Sequence, residues 1–313
     1  MEKLLSYENF IEYCVKNLTT VLKNEFEVKS NKLYKTDEWV VDSFNVQKKD
    51  DDSKVQTMFE IHTRPFYLEY ADGKPLGEVI LNIIKQIEKE FGEKIDISVD
   101  LSQISEYDYM KDKLIIRPIS YTDNKKLLND HYYRKIEDIA LVLYLSAGVT
   151  KKGYASVKIP LTSMKDWDIE KAFETAMENT VKKNIPVFYP MELLFTGDPG
   201  SSRSNHLMDR VNYRFKRSYT NTYRLSTKTS ISGAMAVFFP GVLERVAEIL
   251  DDDFYIVFLS IQEGMVHPMK KSEKSFLVDH AKKTKRMNMS VVEYLSSTLF
   301  VYRRNKQILE KAD

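Results

Sequence analysis

Phe254-Tyr255-Ile256-Val257-Phe258-Leu259-Ser260, then Ile261-Gln262-Glu263-Gly264, then Met265-Val266-His267-Pro268, is the stretch that decides the fold class. An apolar run of strand length, rich in aromatic and β-branched residues and followed by a polar turn and a second short run, reads as a β-hairpin buried in a core. Its turn, Ser260–Glu263, presents Gln262 and Glu263 at a tip that a ligand or partner can reach.

Working outward, Thr222–Ser226 reads as a strand, Gly233–Leu250 and Lys274–Met287 as helices, and Ser290–Arg304 as a closing helix. The resulting order is β-α-β-β-α. The same order occurs earlier, in strand Leu114–Ser120, helix Asn124–Arg134, strands Asp138–Leu145 and Tyr154–Pro160, and helix Asp168–Lys183. This order suggests an internal duplication. Between the copies, 187–221 is irregular, with a turn-rich string at Gly197-Asp198-Pro199-Gly200-Ser201-Ser202. Before them, Ser6 caps a helix running to about Lys23, with apolar residues at Phe10, Ile11, Cys14, Val15, Leu18, Val21 and Leu22. Two or three short strands fit Phe26–Thr57, and Leu76–Phe91 is an amphipathic helix. The reading is an α+β protein of mixed antiparallel sheets with packed helices. It divides into an N-terminal unit (1–95), a first β-α-β-β-α unit (96–186), an irregular segment (187–221) and a second unit with its closing helix (222–313).

Lys and Arg number 47 against 46 Asp and Glu, a net charge of +1, so no global field draws the chain to nucleic acid or an anionic membrane. No apolar run approaches the roughly 20 residues of a membrane span, and the N-terminus lacks a signal-peptide core. A cytoplasmic protein away from the membrane is expected. The single cysteine, Cys14, lies at apolar spacing and reads as a core residue. His62, His131, His206, His267 and His280 stand too far apart for metal-ligand spacing, and His267 reads as a strand-edge residue. No phosphate loop, dinucleotide fingerprint or nucleophile elbow occurs. Neither a metal nor a cofactor is expected, and the oligomeric state stays open.

Several segments together resemble the domain of unknown function 5688 family of Firmicutes-type bacteria. They are Pro65–Glu69, Leu114-Ile115-Ile116-Arg117-Pro118, Ile139–Leu145, Ala155–Leu161, Tyr223–Thr227, Gly233–Ala236, Asp253–Phe258 and Ser260-Ile261-Gln262-Glu263. The resemblance implies an architecture and no activity. The family usually carries a histidine where this chain has Gln262, and an asparagine where it has Thr227. A catalytic role at either position would therefore not carry over.

Candidate sites follow from local chemistry. Arg210, Arg214, Lys216, Arg217 and Arg224 alternate with Tyr213, Phe215, Tyr219 and Tyr223, cations and rings that suit single-stranded nucleic acid. Strand alternation, rings inward and cations outward, explains the same pattern without a ligand. Arg203 beside the Gly197–Ser202 turn, with Gln262 and Glu263, suits contact with another protein. His206, Asp209, Ser260 and Glu263 would make a hydrolase only by converging in space. Since no nucleophile, base or metal constellation is present in sequence, a non-enzymatic protein-binding or regulatory module is the leading expectation, placed in mobile-element or phage–host biology. Nucleic-acid binding through 210–224 is the second reading.

Overall fold

The computed structural model describes residues 4–23, 25–36, 39–49, 58–92, 103–150, 153–197, 199–284 and 294–312. The chain forms two compact units, Met1–Asp96 and Ile97–Asp313.

In the first unit, α1 (Tyr7–Val21) begins where Ser6 Oγ accepts the Asn9 N–H, as the sequence suggests. An antiparallel sheet of β1 (Phe26–Thr36), β2 (Trp39–Lys48) and β3 (Met58–His62) follows, then α2 (Arg64–Ala71) and α3 (Leu76–Gly92). Both β1 and β2 are longer than the short strands expected. The sheet and helices share a core of Phe10, Cys14, Leu18, Phe44, Val46, Ile61, Val79, Ile83 and Ile87. Burial pushes the Cys14 thiol up to about 12, so this cysteine packs as a small apolar side chain.

Among its described residues the second unit holds two sheets. After α4 (Tyr107–Met110), the strand β4 (Leu114–Ser120) pairs along β6 (Ile139–Thr150), with α5 (Lys125–Leu128) between them in sequence. The other edge of β6 takes β5 (Tyr133–Ile136) and then β7 (Gly153–Lys158). After α6 (Ile169–Lys183) comes a six-stranded antiparallel sheet in the order β13-β12-β10-β11-β9-β8. Its strands are β8 (Pro186–Pro190), β9 (Tyr223–Thr227), β10 (Phe254–Ser260), β11 (Glu263–Pro268), β12 (Phe300–Arg303) and β13 (Ile308–Lys311). α7 (Val242–Leu250) and α8 (Lys274–Thr284) complete the unit.

The strands have continuous apolar runs because both faces are covered. Along β10, Phe254, Ile256 and Phe258 enter a core shared with Ile139, Leu141, Leu143 and Leu145 of β6, while Tyr255 and Val257 pack with Leu277 and Ala281 of α8. The two sheets thus build one core without sharing strands.

Several sequence expectations give way here. The proposed copies pair differently: β4 joins the first strand of the hairpin that follows it, whereas β9 joins the second strand of its own. The Asn124–Arg134 helix is a single turn followed by a strand. Gly233–Leu250 is two pieces, a 3-10 turn Gly233–Phe238 and then α7, because Pro240 cannot continue a helix. The irregular 187–221 segment opens with β8, which pairs with β9 over its whole length. The closing helix is absent from its described part: 294–299 is non-helical and Phe300–Arg303 is a strand on the free edge of β10. Phe300 and Val301 are buried in different cores, a two-sided burial that strand alternation delivers.

His267 stands at the end of β11, one residue before the strand-ending Pro268 as expected, but it is buried. It lies on β11, between β10 and β9, and burial with the nearby His280 lowers its pKa to about 4. The folded state holds it neutral while the unfolded chain takes a proton below about 6.5, so stability is full above that pH and falls as pH drops toward 4. Denaturant titrations from pH 7 to 4.5 should show a loss of up to about 1.4 kcal/mol per pH unit that His267→Gln removes; parallel curves for the two proteins would contradict this assignment.

Candidate functional site

The hairpin of β10 and β11 and the neighbouring strand β9 fix a polar centre. On β9, Arg224 is opposite Met265 of β11 and Tyr189 of β8, which puts Glu263, two residues before Met265, on the same sheet face. Arg224 is only 6% exposed. Its Nε donates to Glu263 at 2.6 Å, and its two terminal nitrogens donate to the Tyr189 hydroxyl and, at 3.0 Å, to Ser230 Oγ. Burial works against the guanidinium charge, but Glu263 and Tyr189 outweigh it and hold the pKa above the ordinary value. Two predicted sites are therefore one: Arg224 leaves the basic surface and joins Glu263 inside the protein.

Gln262 is also turned inward. Its carbonyl accepts the Ser226 hydroxyl at 2.7 Å, and its side-chain Oε1 accepts the backbone N–H of Ser232 at 3.0 Å. The expected solvent-facing tip is covered by the Gly233–Phe238 turn, whose Ala234 N–H donates to the Ile261 carbonyl. Close approach there needs Gly233, since a Cβ would lie 2.2 Å from both the Gln262 carbonyl oxygen and Ser226 Oγ. Ser232 in turn receives Arg117 Nε of β4 at 3.1 Å, and Arg117 also donates to Ser156 Oγ of β7 at 2.7 Å. One chain of hydrogen bonds thus links both sheets.

The rest of the basic segment stays outside. Arg203, Arg214, Lys216 and Arg217 are exposed, and Tyr219 is 95% exposed. Tyr213 is buried, but Phe215 stacks on Tyr223 at 5.7 Å while remaining 40% exposed, and 213–222 is non-strand, so the expected inward alternation of rings does not form here. Arg214 is turned to the carbonyls of Val211 and Tyr213. Asp198 lies outside the described residues. The adjoining 3-10 turns Pro199–Ser201 and Arg203–Asn205 are tied together by Asn205 Nδ2 donating to the Pro199 carbonyl at 2.8 Å.

A residue that sequence reading passed over, Glu192, organises the Tyr219 loop. It sits in a 3-10 turn, Met191–Thr196, directly after β8. Its Oε1 accepts the backbone N–H groups of Tyr219 (2.6 Å) and Thr220 (3.0 Å) and the Ser218 hydroxyl (2.8 Å). Nothing local marks it, because the 27 residues to Tyr219 are closed by the β8–β9 pairing. Burial raises the Glu192 pKa, but these hydrogen bonds and one from its own backbone N–H outweigh it and hold the carboxyl below its ordinary 4.5. The clamp is therefore complete above that pH and released as pH falls through the lower folded value. The Tyr219 and Thr220 amide proton shifts should titrate together below about pH 4.5 and be displaced at neutral pH by Glu192→Ala; pH-independent shifts would rule out the clamp.

The hydrolase grouping does not assemble. Ser260 and Glu263 meet at 3.5 Å, but His206 bridges Val187 on the outer edge of β8, with Asp209 bound to Asn212. β8 and β9 intervene before β11, a separation of about 14 Å at ordinary strand spacing. Among the described residues, no group of three His, Cys, Asp or Glu is placed to hold a metal ion, and no helix is long and apolar enough to cross a membrane.

A family model described as a family of unknown function (DUF5688) matches residues 7–304, and the chain belongs to that family. No curated protein and no solved structure matches it.

Proposed function

We propose that this DUF5688 member is a non-enzymatic binding module that captures another protein, in the cytoplasm, through the face carrying Arg203, Arg214, Lys216, Arg217 and Tyr219. The observation that carries this reading is a fully exposed tyrosine on a loop whose backbone is fixed by the Glu192 carboxylate. A folding chain gains nothing by ordering a loop around a ring it leaves in water, whereas a partner gains from a contact already ordered. Tyrosine and arginine are also the side chains that most often dominate binding energy at interfaces. The turn that supplies Glu192 carries Phe195, 86% exposed, as a second apolar contact. Lys216 and Arg217 make no ion pair among the described residues, which favours a partner with acidic groups around an apolar centre.

The same cations and ring support single-stranded nucleic acid as a second reading. Affinity capture from nuclease-treated and untreated lysate separates the two. The wild type should retain a stoichiometric protein after nuclease treatment, and Tyr219→Ala with Arg217→Glu should lose it at an unchanged melting temperature. Capture of nucleic acid alone, falling steeply with salt, would replace the protein reading by the second one. Equal protein capture by wild type and variant would refute this face.

A further inference from the structure

We propose that a narrow cleft of the second unit, beneath the Ser232 turn, binds the phosphoryl group of a small phosphate monoester. Its polar lining is Arg117, Lys183, Ser146, Ser156, Thr180, Ser232 and Asn184, and among the described residues no aspartate or glutamate lines it. Two cations therefore face one concavity with no carboxylate among the described lining residues to balance them.

The donors around Arg117 are arranged for an incoming anion. A guanidinium has five N–H donors; here one goes to Ser232 Oγ and one to Ser156 Oγ, leaving three. Each serine hydroxyl that accepts from arginine still has its own proton to donate, and neither donates it within the protein among the described residues. The charge is thus relayed through two hydroxyls. Ser232 is held for this purpose by its N–H bond to Gln262 Oε1, in a left-handed conformation with φ of 49°. The Tyr144 ring lies 5.4 Å from the Arg117 guanidinium and backs it.

The rest of the wall divides into structure and recognition. Thr180 lines the cleft but is used up, accepting the Ile116 N–H and donating to the Ala176 carbonyl. Asn184 donates to the Thr180 carbonyl, which leaves its side-chain oxygen to accept from a ligand hydroxyl. Partial desolvation at the cleft mouth lowers the Lys183 pKa, opposed by Asp112, which lies off the cleft. Ile115, Ile231 and Met235 supply an apolar side for the organic part of the ester.

A purely structural Arg117 would link β4 to two neutral serines while facing a second cation, an arrangement that gains little and places like charges together. A bound dianion turns both cations into charge-assisted donors. Charge selects the ligand class: a phosphate monoester carries close to two negative charges at neutral pH and offers three oxygens, whereas a carboxylate supplies one charge and two.

The test is calorimetric titration of the full chain at low salt with phenyl phosphate, inorganic phosphate and benzoate. Phenyl phosphate should bind saturably, at least about tenfold tighter than benzoate and tighter than inorganic phosphate, and more tightly at pH 7.5 than at pH 5 as its second proton leaves. Lys183→Gln should weaken it about tenfold at an unchanged melting temperature, and Arg117→Gln should abolish it. Lys183 is exposed at the end of α6, so that variant tests the site even where Arg117→Gln unfolds. No saturable binding, wild-type affinity in Lys183→Gln, benzoate binding as tightly, or inorganic phosphate binding as tightly as the ester would each overturn the assignment.

Discussion

Gly233→Ala is expected to destabilise the second unit by about 3 kcal/mol or more, at the upper end of what overpacking costs. The added methyl would lie 2.2 Å from the Gln262 carbonyl oxygen, a backbone atom in the turn of the β10–β11 hairpin, and 2.2 Å from Ser226 Oγ, with the Thr227 nitrogen at 3.1 Å. Relief requires moving the 3-10 turn off the hairpin. That movement breaks the Ala234 bond to Ile261 and uncovers Ala234, Met235 and Ala236, which are buried in the main core. Gly77→Ala is the contrasting case. It sits in α3 with nothing within 4 Å of the new methyl, and alanine should stabilise that helix by roughly 0.5–1 kcal/mol. Denaturant midpoints of the two variants against wild type measure both effects, and a Gly233→Ala midpoint within error of wild type would refute the close approach.

Replacing Arg224 by methionine is expected to cost about 3–5 kcal/mol, the range for removing one partner of a buried ion pair. The deletion leaves the Glu263 carboxylate, the Tyr189 hydroxyl and Ser230 around a side chain that offers them no donor. The cost comes chiefly from the stranded carboxylate, so a second change, Glu263→Gln, should recover at least about 1 kcal/mol of it. A double-mutant cycle from urea denaturation gives the coupling. Strict additivity would show that Arg224 and Glu263 do not act as a pair. Neither change should alter partner capture by Tyr219, because the buried pair and the exposed loop are separate features of β9 and the segment before it.

The different exposures of Arg217 and Arg224 show where sequence reading stops. Both are arginines in one basic, aromatic segment, and local alternation gives no reason to separate them. Arg224 is drawn inside because β8 and β11 flank β9 and bring Tyr189 and Glu263 to the same face, contacts 35 and 39 residues away in the chain. Gln262 differs from the surface residue it resembles for the same reason. A hairpin turn is exposed by default, and it is the Gly233–Phe238 turn, some 30 residues earlier, that covers it.

Amino-acid order alone determined the α+β class, the Ser6-capped first helix, the Phe254–Pro268 hairpin and the burial of Cys14, because apolar period, caps and polar turns act over a few residues. Tertiary structure decided the rest. It placed Phe300–Arg303 in a strand because β10 had a free edge and two cores to fill, and it gave the two β-α-β-β-α segments different partners. It also gathered Arg117, Ser156, Ser232 and Gln262 into one hydrogen-bonded line across two sheets. Each of those outcomes rests on which sheet edge or face is left uncovered once the whole unit has folded, a quantity that no local window of sequence contains.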